Sequence, residues 1–433
     1  MIRFWEFSAT GMSTTQQQIN VHRLSNGLTL VGEIMPWLES AAFSFSVPSG
    51  CQYDPPERAG LANFVCEMVQ RGCGNLNSRQ YIEQLEWLGI DYSSSASVYH
   101  THFSGAMPAV RLHEAFDVYA DVLRNPMIPE EQLEEGRMVC FQEIRSLEDD
   151  LARRVMLKIR LRQYGDPRGR WSQGATETVA DISIEDIRGF FDRYYQPHGL
   201  IVSVAGNFDW DALVAKVDSL FGDWEANPAD PPNDTGAMVG TLHIPFESQQ
   251  THIAVACPTL PYNHPDYFLA RGTVGVLSDG MSSRLFTELR EKRGLCYAVF
   301  ASLHSVLNQA CIVGYVGTGA DRAQESLDAL VEQLVNVRHG VDQAELDRLK
   351  VQIRSSLVMQ QESSRSRAGS IAGDWFHLGR ARTLSEVNDL INSLSVERIN
   401  EFVRNNPMQD FNLVTLGPEP LELNHAVSSA SAG

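Results

Sequence analysis

The sequence predicts an α+β protein made of two halves with similar architecture. Residues 225–241 contain three prolines, several Asp and Asn residues and no apolar periodicity, which is typical of a linker. Roughly 200 residues lie on each side of it. Both sides follow the same order of strands, polar stretch, helix, further strands and amphipathic helices. This parallel layout predicts an internal duplication that sequence identity no longer shows.

In the first half, alternating apolar residues predict strands, and Asn26-Gly27 predicts a hairpin turn. The predicted elements, in chain order, are a strand pair at 21–34, a strand at 41–50, a polar stretch at 51–60, a glycine-framed helix at 60–73, strands at 92–108, an amphipathic helix at 109–126, and a buried strand, a turn and a helix at 196–224. We expect Asp209 to cap that last helix.

The second half repeats this order. Its predicted elements are a strand at 251–258, a polar stretch at 260–267, helices at 268–280 and 281–294, strands at 296–306 and 309–319, an amphipathic helix at 321–340 and a late strand at 406–418.

Composition limits the classes of function. The 433 residues have an ordinary hydrophobic content of 43% and a net charge of −19. A nucleic-acid or anionic-membrane partner would require a basic face, so neither is predicted. The charge is compatible with a basic partner or substrate, but we interpret it as a well-solvated acidic surface.

The seven cysteines are odd in number and show no CxxC spacing, so they predict neither a disulfide framework nor a zinc knuckle. The first residues lack the pattern of a secretory signal, and Met12 is an alternative start. No window approaches the length of an apolar membrane span. These features together predict a cytoplasmic protein.

The helix at 60–73 reads GLANFVCEMVQRGC and has one apolar face. Asn63, Cys66 and Glu67 occupy the positions that carry a metal ligand, a general base and a second ligand in an inverted zinc motif, His-x-x-Glu-His. Both histidines and the glutamate of that motif are replaced. A second acidic helix carries Glu143, 76 residues after Glu67.

Together these segments resemble the pitrilysin (insulinase-type) zinc peptidases, including the mitochondrial processing peptidases. The resemblance assigns the first ligand to Asn63, the base to Cys66, the second ligand to Glu67 and the third to Glu143. Only Glu143 matches the family residue, and a further family glutamate falls on Gly136. The resemblance therefore implies a degenerate metal site, no cofactor in this chain and no peptide hydrolysis by the chain alone.

Two other interpretations of this helix remain open. A structural or incidental metal could bind at Cys66, Glu67 and Glu143, or an unusual metal there could make the chain a self-sufficient enzyme. His100 and His102 are two residues apart on a predicted strand, which metal sites use. No third ligand with known spacing accompanies them, so we interpret them as part of a solvated strand face.

Residues 279–302, DGMSSRLFTELREKRGLCYAVFAS, closely resemble the C-terminal signature of the same family. The resemblance implies that Arg290 and Tyr297 bind the substrate backbone and stabilise the oxyanion in a zinc-bearing half. A guanidinium and a phenol are both donors that suit this role. The resemblance extends over about residues 20–420, and residues 85–103 resemble the strand that pairs with a bound peptide.

The resemblance gives the division of the chain. It consists of an N-terminal extension (1–19), a peptidase-like domain with the degenerate site (20–225), the linker (226–241), a second peptidase-like domain with the Arg/Tyr pair (242–422) and a tail (423–433).

The leading hypothesis is the non-catalytic subunit of a heterodimeric bacterial zinc peptidase. Such a chain forms one side of a clam-shell chamber that holds a peptide, and it lends Arg290 and Tyr297 to a zinc-bearing homologous partner. The alternative is a non-enzymatic scaffold, similar to the core subunits of the cytochrome bc1 complex, for which a homodimer is expected.

Overall fold

The computed structural model describes residues 17–423. Residues 1–16 of the predicted extension, with Met12, and residues 424–433 of the predicted tail lie outside the described residues. Short 3-10 turns connect several of the helices and strands below.

The first half forms a sheet of six strands in the order β1-β2-β8-β3-β7-β6, beside a two-stranded β4-β5 ribbon. The strands are β1 (Gln18–Arg23), β2 (Thr29–Ile34), β3 (Ser40–Val47), β4 (Gly72–Cys73), β5 (Leu76–Asn77), β6 (Asp91–Ala96), β7 (Thr101–Pro108) and β8 (Ile201–Gly206). Only the β2–β8 pair is parallel. The predicted hairpin at Asn26-Gly27 is confirmed, because Gly27 adopts φ +92 between the antiparallel strands β1 and β2.

The helices of the first half are α1 (Leu61–Met68), α2 (Ser78–Trp87), α3 (Leu112–Arg124), α4 (Leu133–Asp149), α5 (Leu151–Tyr164), α6 (Thr176–Ala180), α7 (Ile184–Tyr194) and α8 (Trp210–Phe221). Helices α1, α3, α7 and α8 share a continuous apolar core with one face of the sheet. The predicted cap of α8 is confirmed, since the Asp209 carboxylate accepts a hydrogen bond from the Ala212 N–H at 2.8 Å.

The second half forms a five-stranded sheet of β9 (Thr241–Pro245), β10 (Gln250–Thr259), β11 (Cys296–Val306), β12 (Gln309–Gly319) and β13 (Asn412–Gly417). Its order, β9-β13-β10-β12-β11, repeats β2-β8-β3-β7-β6 strand for strand. The one parallel pair, β9–β13, matches β2–β8. The predicted duplication of an α+β unit is therefore confirmed at the level of topology.

The helices of the second half are α9 (Tyr267–Ser278), a π-helix (Phe286–Lys292), α10 (Ala323–Asn336), α11 (Gln343–Gln360), α12 (Ser364–Leu378), α13 (Leu384–Asn392) and α14 (Val396–Asn405). Residues 225–239 contain neither helix nor strand.

Each half contributes one helix that covers a face of the other half's sheet. Helix α5 packs on β10 and β13, and α12 packs on β3 and β8. At the end of α5, the Tyr164 hydroxyl also donates to the His304 carbonyl of β11 at 2.7 Å. On α12, Arg367 forms a buried ion pair with Glu33 of β2. This reciprocal exchange makes each sheet dependent on both halves.

The exchanged helix α12 overturns one prediction. His100 is only 7% exposed and His102 is half-buried, so the expectation of a solvated strand face is wrong. Both line a cavity of about 310 Å³ between the first sheet and α12, where His377 also lies. The polar pattern of the strand indicated solvent because the helix that covers it comes from residues more than 250 positions away.

We expect His100 to make stability depend on pH. Burial lowers its pKa to about 3, with His102 and His377 adding repulsion to the protonated form. An unfolded histidine titrates near pH 6.5, so the unfolded chain binds this proton first as pH falls, and stability is lost below about pH 6.5. The loss attributable to His100 is about 2 kcal/mol by about pH 5.

Urea titrations of wild type and His100→Gln at about pH 7.5 and about pH 5 measure this effect. Wild type should lose about 2 kcal/mol more on acidification than the variant, in which all other titrating groups are retained. Equal losses in the two proteins would contradict the assignment.

Candidate functional site

Helix α1 begins at a glycine because of the backbone geometry there. Gly60 has φ +100, and a Cβ at this position would lie 2.6 Å from the Gln173 carbonyl oxygen. The buried Asp54 carboxylate accepts hydrogen bonds from the Gly60 and Ala62 N–H groups, both at 2.9 Å. Asp54 thus satisfies the first amides of α1 and fixes the helix that carries the degenerate positions.

Two of the positions that the resemblance assigns to metal ligands are joined by a direct hydrogen bond. The Asn63 amide donates to the Glu143 carboxylate at 2.7 Å. It also points toward the Cys140 sulfur at 3.9 Å. An amide N–H is a donor and cannot ligate a cation, so Asn63 supplies a positive dipole where the family places a metal.

Glu67, the position assigned to the second ligand, is neutralised by an arginine of the next helical turn. Arg71 lies one turn later, and its guanidinium donates to Glu67 Oε1 at 2.8 and 3.1 Å. Both side chains are largely buried, which strengthens the pair relative to a solvent-exposed one. The acidic residues of the site are therefore balanced by hydrogen bonds and an arginine.

Cys66 occupies the position of the general base and is buried against the sheet. Burial, with smaller contributions from the charges of Glu67 and Glu143, raises the pKa of its thiol to about 12. The thiol is therefore protonated at neutral pH and cannot take a proton from water.

Gly136 stands where the resemblance places a further glutamate, and side chains of α1 pack against it. A Cβ on Gly136 would lie 2.7 Å from the Met68 sulfur and 3.1 Å from the Phe64 ring. The Met68 side chain and the Phe64 ring therefore occupy the space that a side chain at position 136 would need. Across residues 17–423, no group of three or more His, Cys, Asp or Glu side chains is arranged to hold a metal ion. The donor set at α1 and α4 does not fit zinc.

Restoring two ligands should restore zinc binding, because the side chains at positions 63 and 143 already converge within hydrogen-bond distance. We expect the double variant Asn63→His/Glu67→His to retain about one zinc ion per chain after dialysis, with Glu143 as the third ligand. Elemental analysis measures this, with Asn63→His alone as the control. Full zinc occupancy in wild type, or none in the double variant, would contradict our interpretation of the site.

The edge strand β6 runs beside this helix. Five of its six residues are exposed, and in the described chain its outer edge pairs with no strand. Gln70, just after α1, donates to the Ser94 hydroxyl of β6 at 2.9 Å. An exposed edge of this kind can accept an extended peptide as an additional strand.

Arg290 lies on the π-helix of the second half, where the sequence predicts only a regular helix. Its guanidinium lies over the Phe286 ring, 4.9 Å from the ring centroid. Arg290 is exposed and forms no ion pair with any residue between 17 and 423. Single π-turns are frequent at functional sites, because the extra residue redirects a side chain.

Tyr297 lies at a β-bulge. Cys296 pairs with Thr318 and Ala298 with Gly317, so Tyr297 is the additional residue between them. Its side chain is 45% exposed, and its hydroxyl donates to Gln250 Oε1 at 2.9 Å. Partial burial raises the pKa of the phenol, with the neighbouring Cys296 thiol adding to the effect, so Tyr297 is a neutral donor.

The structure groups the predicted site residues into two separate sets. Asn63, Cys66, Glu67 and Glu143 lie together on α1 and α4 in the first half. Arg290 and Tyr297 lie on consecutive elements of the second half. No hydrogen bond or ion pair among the described residues joins the two sets.

The fold and the site define a duplicated α+β protein of the metallopeptidase type with altered metal-ligand positions. Two family models match the chain. The model described as insulinase (peptidase family M16) matches residues 36–165, and the model described as the peptidase M16 inactive domain matches residues 181–353. Because these models together cover more than half of the sequence, the chain belongs to peptidase family M16, the insulinase family.

Similar proteins cover nearly the whole chain. The uncharacterized zinc protease YmxG of Bacillus subtilis is 27% identical over 410 residues, covering 92% of this chain and 98% of that protein. A Pseudomonas fluorescens structure described as a peptidase M16 inactive domain has a TM-score of 0.83 at 19% identity, covering 94% of this chain and 100% of that one.

The same fold occurs in a further solved structure. A chain of complex III2 from Candida albicans has a TM-score of 0.79 at 14% identity, covering 93% of this chain and 96% of that one. Between residues 17 and 423, none of the helices has both the length and the apolar character needed to cross a membrane.

Proposed function

We propose that this chain is the non-catalytic subunit of a heterodimeric M16-type zinc peptidase and lends Arg290 and Tyr297 to a zinc-bearing homologous partner. The observation that carries the proposal is a contrast between the two sets of site residues. In the first set, Asn63 and Glu143 are hydrogen-bonded to each other, and Glu67 is paired with Arg71. Arg290 and Tyr297 are exposed donors: Arg290 has no ion-pair partner within residues 17–423, and the Tyr297 hydroxyl donates to the neutral, exposed amide of Gln250.

The chemistry of the exposed pair fits transition-state stabilisation. When water attacks a peptide carbonyl, negative charge develops on its oxygen, and a preorganised guanidinium and phenol can donate hydrogen bonds to it. The π-helix and the β-bulge position both donors without help from the degenerate helix. In this proposal, the partner supplies the zinc and the base, and the two chains enclose the peptide in a clam-shell chamber.

The exposed edge of β6 supports a role in holding substrate. An extended peptide can add to this edge through main-chain hydrogen bonds, which do not require a particular peptide sequence. We propose that β6 of this chain contributes to the chamber wall, although the metal positions beside it are closed.

Reconstitution tests the proposed function. The purified chain should not cleave peptides, and adding a homologue with intact His-x-x-Glu-His should give activity that neither chain has alone. If the chain instead forms a stable homodimer and does not bind the zinc-bearing homologue, it is a scaffold protein of the same fold. Metal-dependent cleavage by the chain alone would also contradict the proposal.

A further inference from the structure

The Tyr297 side chain lies across the neighbouring strand of its sheet, β12, to reach its hydrogen-bond partner. Strands β10 and β11 are not neighbours, because β12 lies between them. The Tyr297 hydroxyl nevertheless donates to Gln250 Oε1 at 2.9 Å, and Gln250 is the first residue of β10. The ring therefore spans β12.

Gly317 of β12 provides the space for this crossing. A Cβ at Gly317 would lie 2.8 Å from the Tyr297 hydroxyl oxygen and 2.9 Å from the ring carbon that bears it. The same Cβ would lie 2.9 Å from the hydroxyl oxygen of Tyr315, which is held by the His252 imidazole at 2.8 Å. Any other residue at position 317 would displace one of these phenols.

A half-exposed tyrosine on an edge strand can adopt more than one side-chain rotamer unless a partner fixes it. Gln250 is suited to this task, since its neutral amide oxygen accepts a hydrogen bond without adding charge. The hydroxyl can then donate to a substrate oxyanion, which is a stronger acceptor, while the phenol oxygen accepts a hydrogen bond from the Gln250 NH2 group and stays in place. A carboxylate at position 250 would compete with the oxyanion and raise the pKa of the phenol.

We propose that Gln250 is a positioning residue for Tyr297, holding its hydroxyl over Gly317 in the orientation that substrate requires. This inference rests on the proposed function, in which Tyr297 donates to the substrate. Gln250 acts only through Tyr297 and does not itself contact the reacting atoms.

Kinetics of the mixed complex with the zinc-bearing homologue test this role. Gln250→Ala should lower kcat by about tenfold to a hundredfold, because small displacements of a catalytic donor are costly. KM should change by less than about twofold, since the hydroxyl acts mainly in the transition state. The neighbouring Gln249→Ala is the matched control, because Gln249 is also exposed and has no side-chain hydrogen bond with residues 17–423. It should leave kcat unchanged.

A double variant separates positioning from a general structural effect. If Gln250 acts only through Tyr297, Gln250→Ala should cause no further loss in a Tyr297→Phe background. A second readout needs no partner: Gln250→Glu should raise the pKa of Tyr297 above its wild-type value in an NMR titration of ring-labelled tyrosine.

The outcomes distinguish the two proposals. Full activity of both Arg290→Ala and Tyr297→Phe in the mixed complex would overturn the proposed function, and full activity of Tyr297→Phe alone would overturn the role of Gln250. A loss in Tyr297→Phe without a loss in Gln250→Ala would overturn only the role of Gln250. So would an additional loss from Gln250→Ala in the Tyr297→Phe background, or an unchanged Tyr297 pKa in Gln250→Glu.

Discussion

In a complex with a zinc-bearing homologue, Arg290→Ala is expected to lower kcat/KM for peptide hydrolysis by about a hundredfold to a thousandfold. This is the usual cost of removing one donor from an oxyanion site. The guanidinium is exposed, lies over Phe286 and has no carboxylate partner within residues 17–423. Its removal therefore leaves no buried charge behind, and the loss should appear in activity and not in stability. Tyr297→Phe removes only the hydroxyl and should also lower the rate.

Arg293→Ala is the matched control. Arg293 is three residues from Arg290 and exposed, but its guanidinium pairs with Glu332 at 3.0 Å. Surface pairs of this kind contribute little to stability, and Arg293 has no assigned role at the site. We expect less than about a twofold change in kcat/KM for this variant. If the complexes with Arg290→Ala and with Tyr297→Phe both keep wild-type activity, the proposal that this chain supplies these two residues to its partner's active site is wrong.

The features that sequence predicted well are local. The period-two alternation around Asn26-Gly27 predicted a hairpin, and the Asp209 side chain predicted a helix cap. Both depend on residues a few positions apart, where main-chain geometry and hydrogen bonding are set by the residues themselves. The repeated order of elements predicted the duplication, which the two matching strand orders bear out.

The site residues could be identified from the sequence, but the backbone geometry and the neighbouring side chains that position them could not. Arg290 and Tyr297 belong to a recognisable block, whereas the π-helix at Arg290 and the β-bulge at Tyr297 are backbone features that appear only in the structure. Gln250 and Gly317 carry no signal in the sequence, since their roles arise only when β10, β12 and β11 lie side by side. A glycine directly across from a bulged tyrosine could have been found once the strand register was known.

Local sequence patterns also could not predict that α5 and α12 each pack on the sheet of the other half. Helix α12 follows the order of the second half, yet its small residues and Arg367 pack on the first sheet. The misassignment of His100 follows from the same cause, because the covering helix is remote in sequence. Burial of a strand face thus depends on a partner that periodicity within the strand does not identify.

Among the contacts between α12 and the first sheet, we expect the Arg367–Glu33 ion pair to cost the most stability when it is broken. Both side chains are 2% exposed, and Arg367 Nε donates to Glu33 Oε2 at 2.7 Å. The second carboxylate oxygen of Glu33 accepts from the Gln17 amide at 2.5 Å. Removing the guanidinium would leave a buried carboxylate without its countercharge. Arg367→Met is therefore expected to lower the free energy of unfolding by about 3–5 kcal/mol.

Urea titration of wild type, Arg367→Met, Glu33→Gln, the double variant and a control measures the effect and its origin. If the cost comes from the unpaired Glu33 charge, adding Glu33→Gln to Arg367→Met should recover part of the stability, so the two losses are not additive. Arg79→Met is the matched control: its pair with Glu83 is 89% and 58% exposed, so we expect a change within about 0.5 kcal/mol. If Arg367→Met were as mild as Arg79→Met, the docking of α12 on the first sheet would have to rest on its apolar contacts. Recovery in the double variant would instead establish that a single buried charge pair couples the two halves.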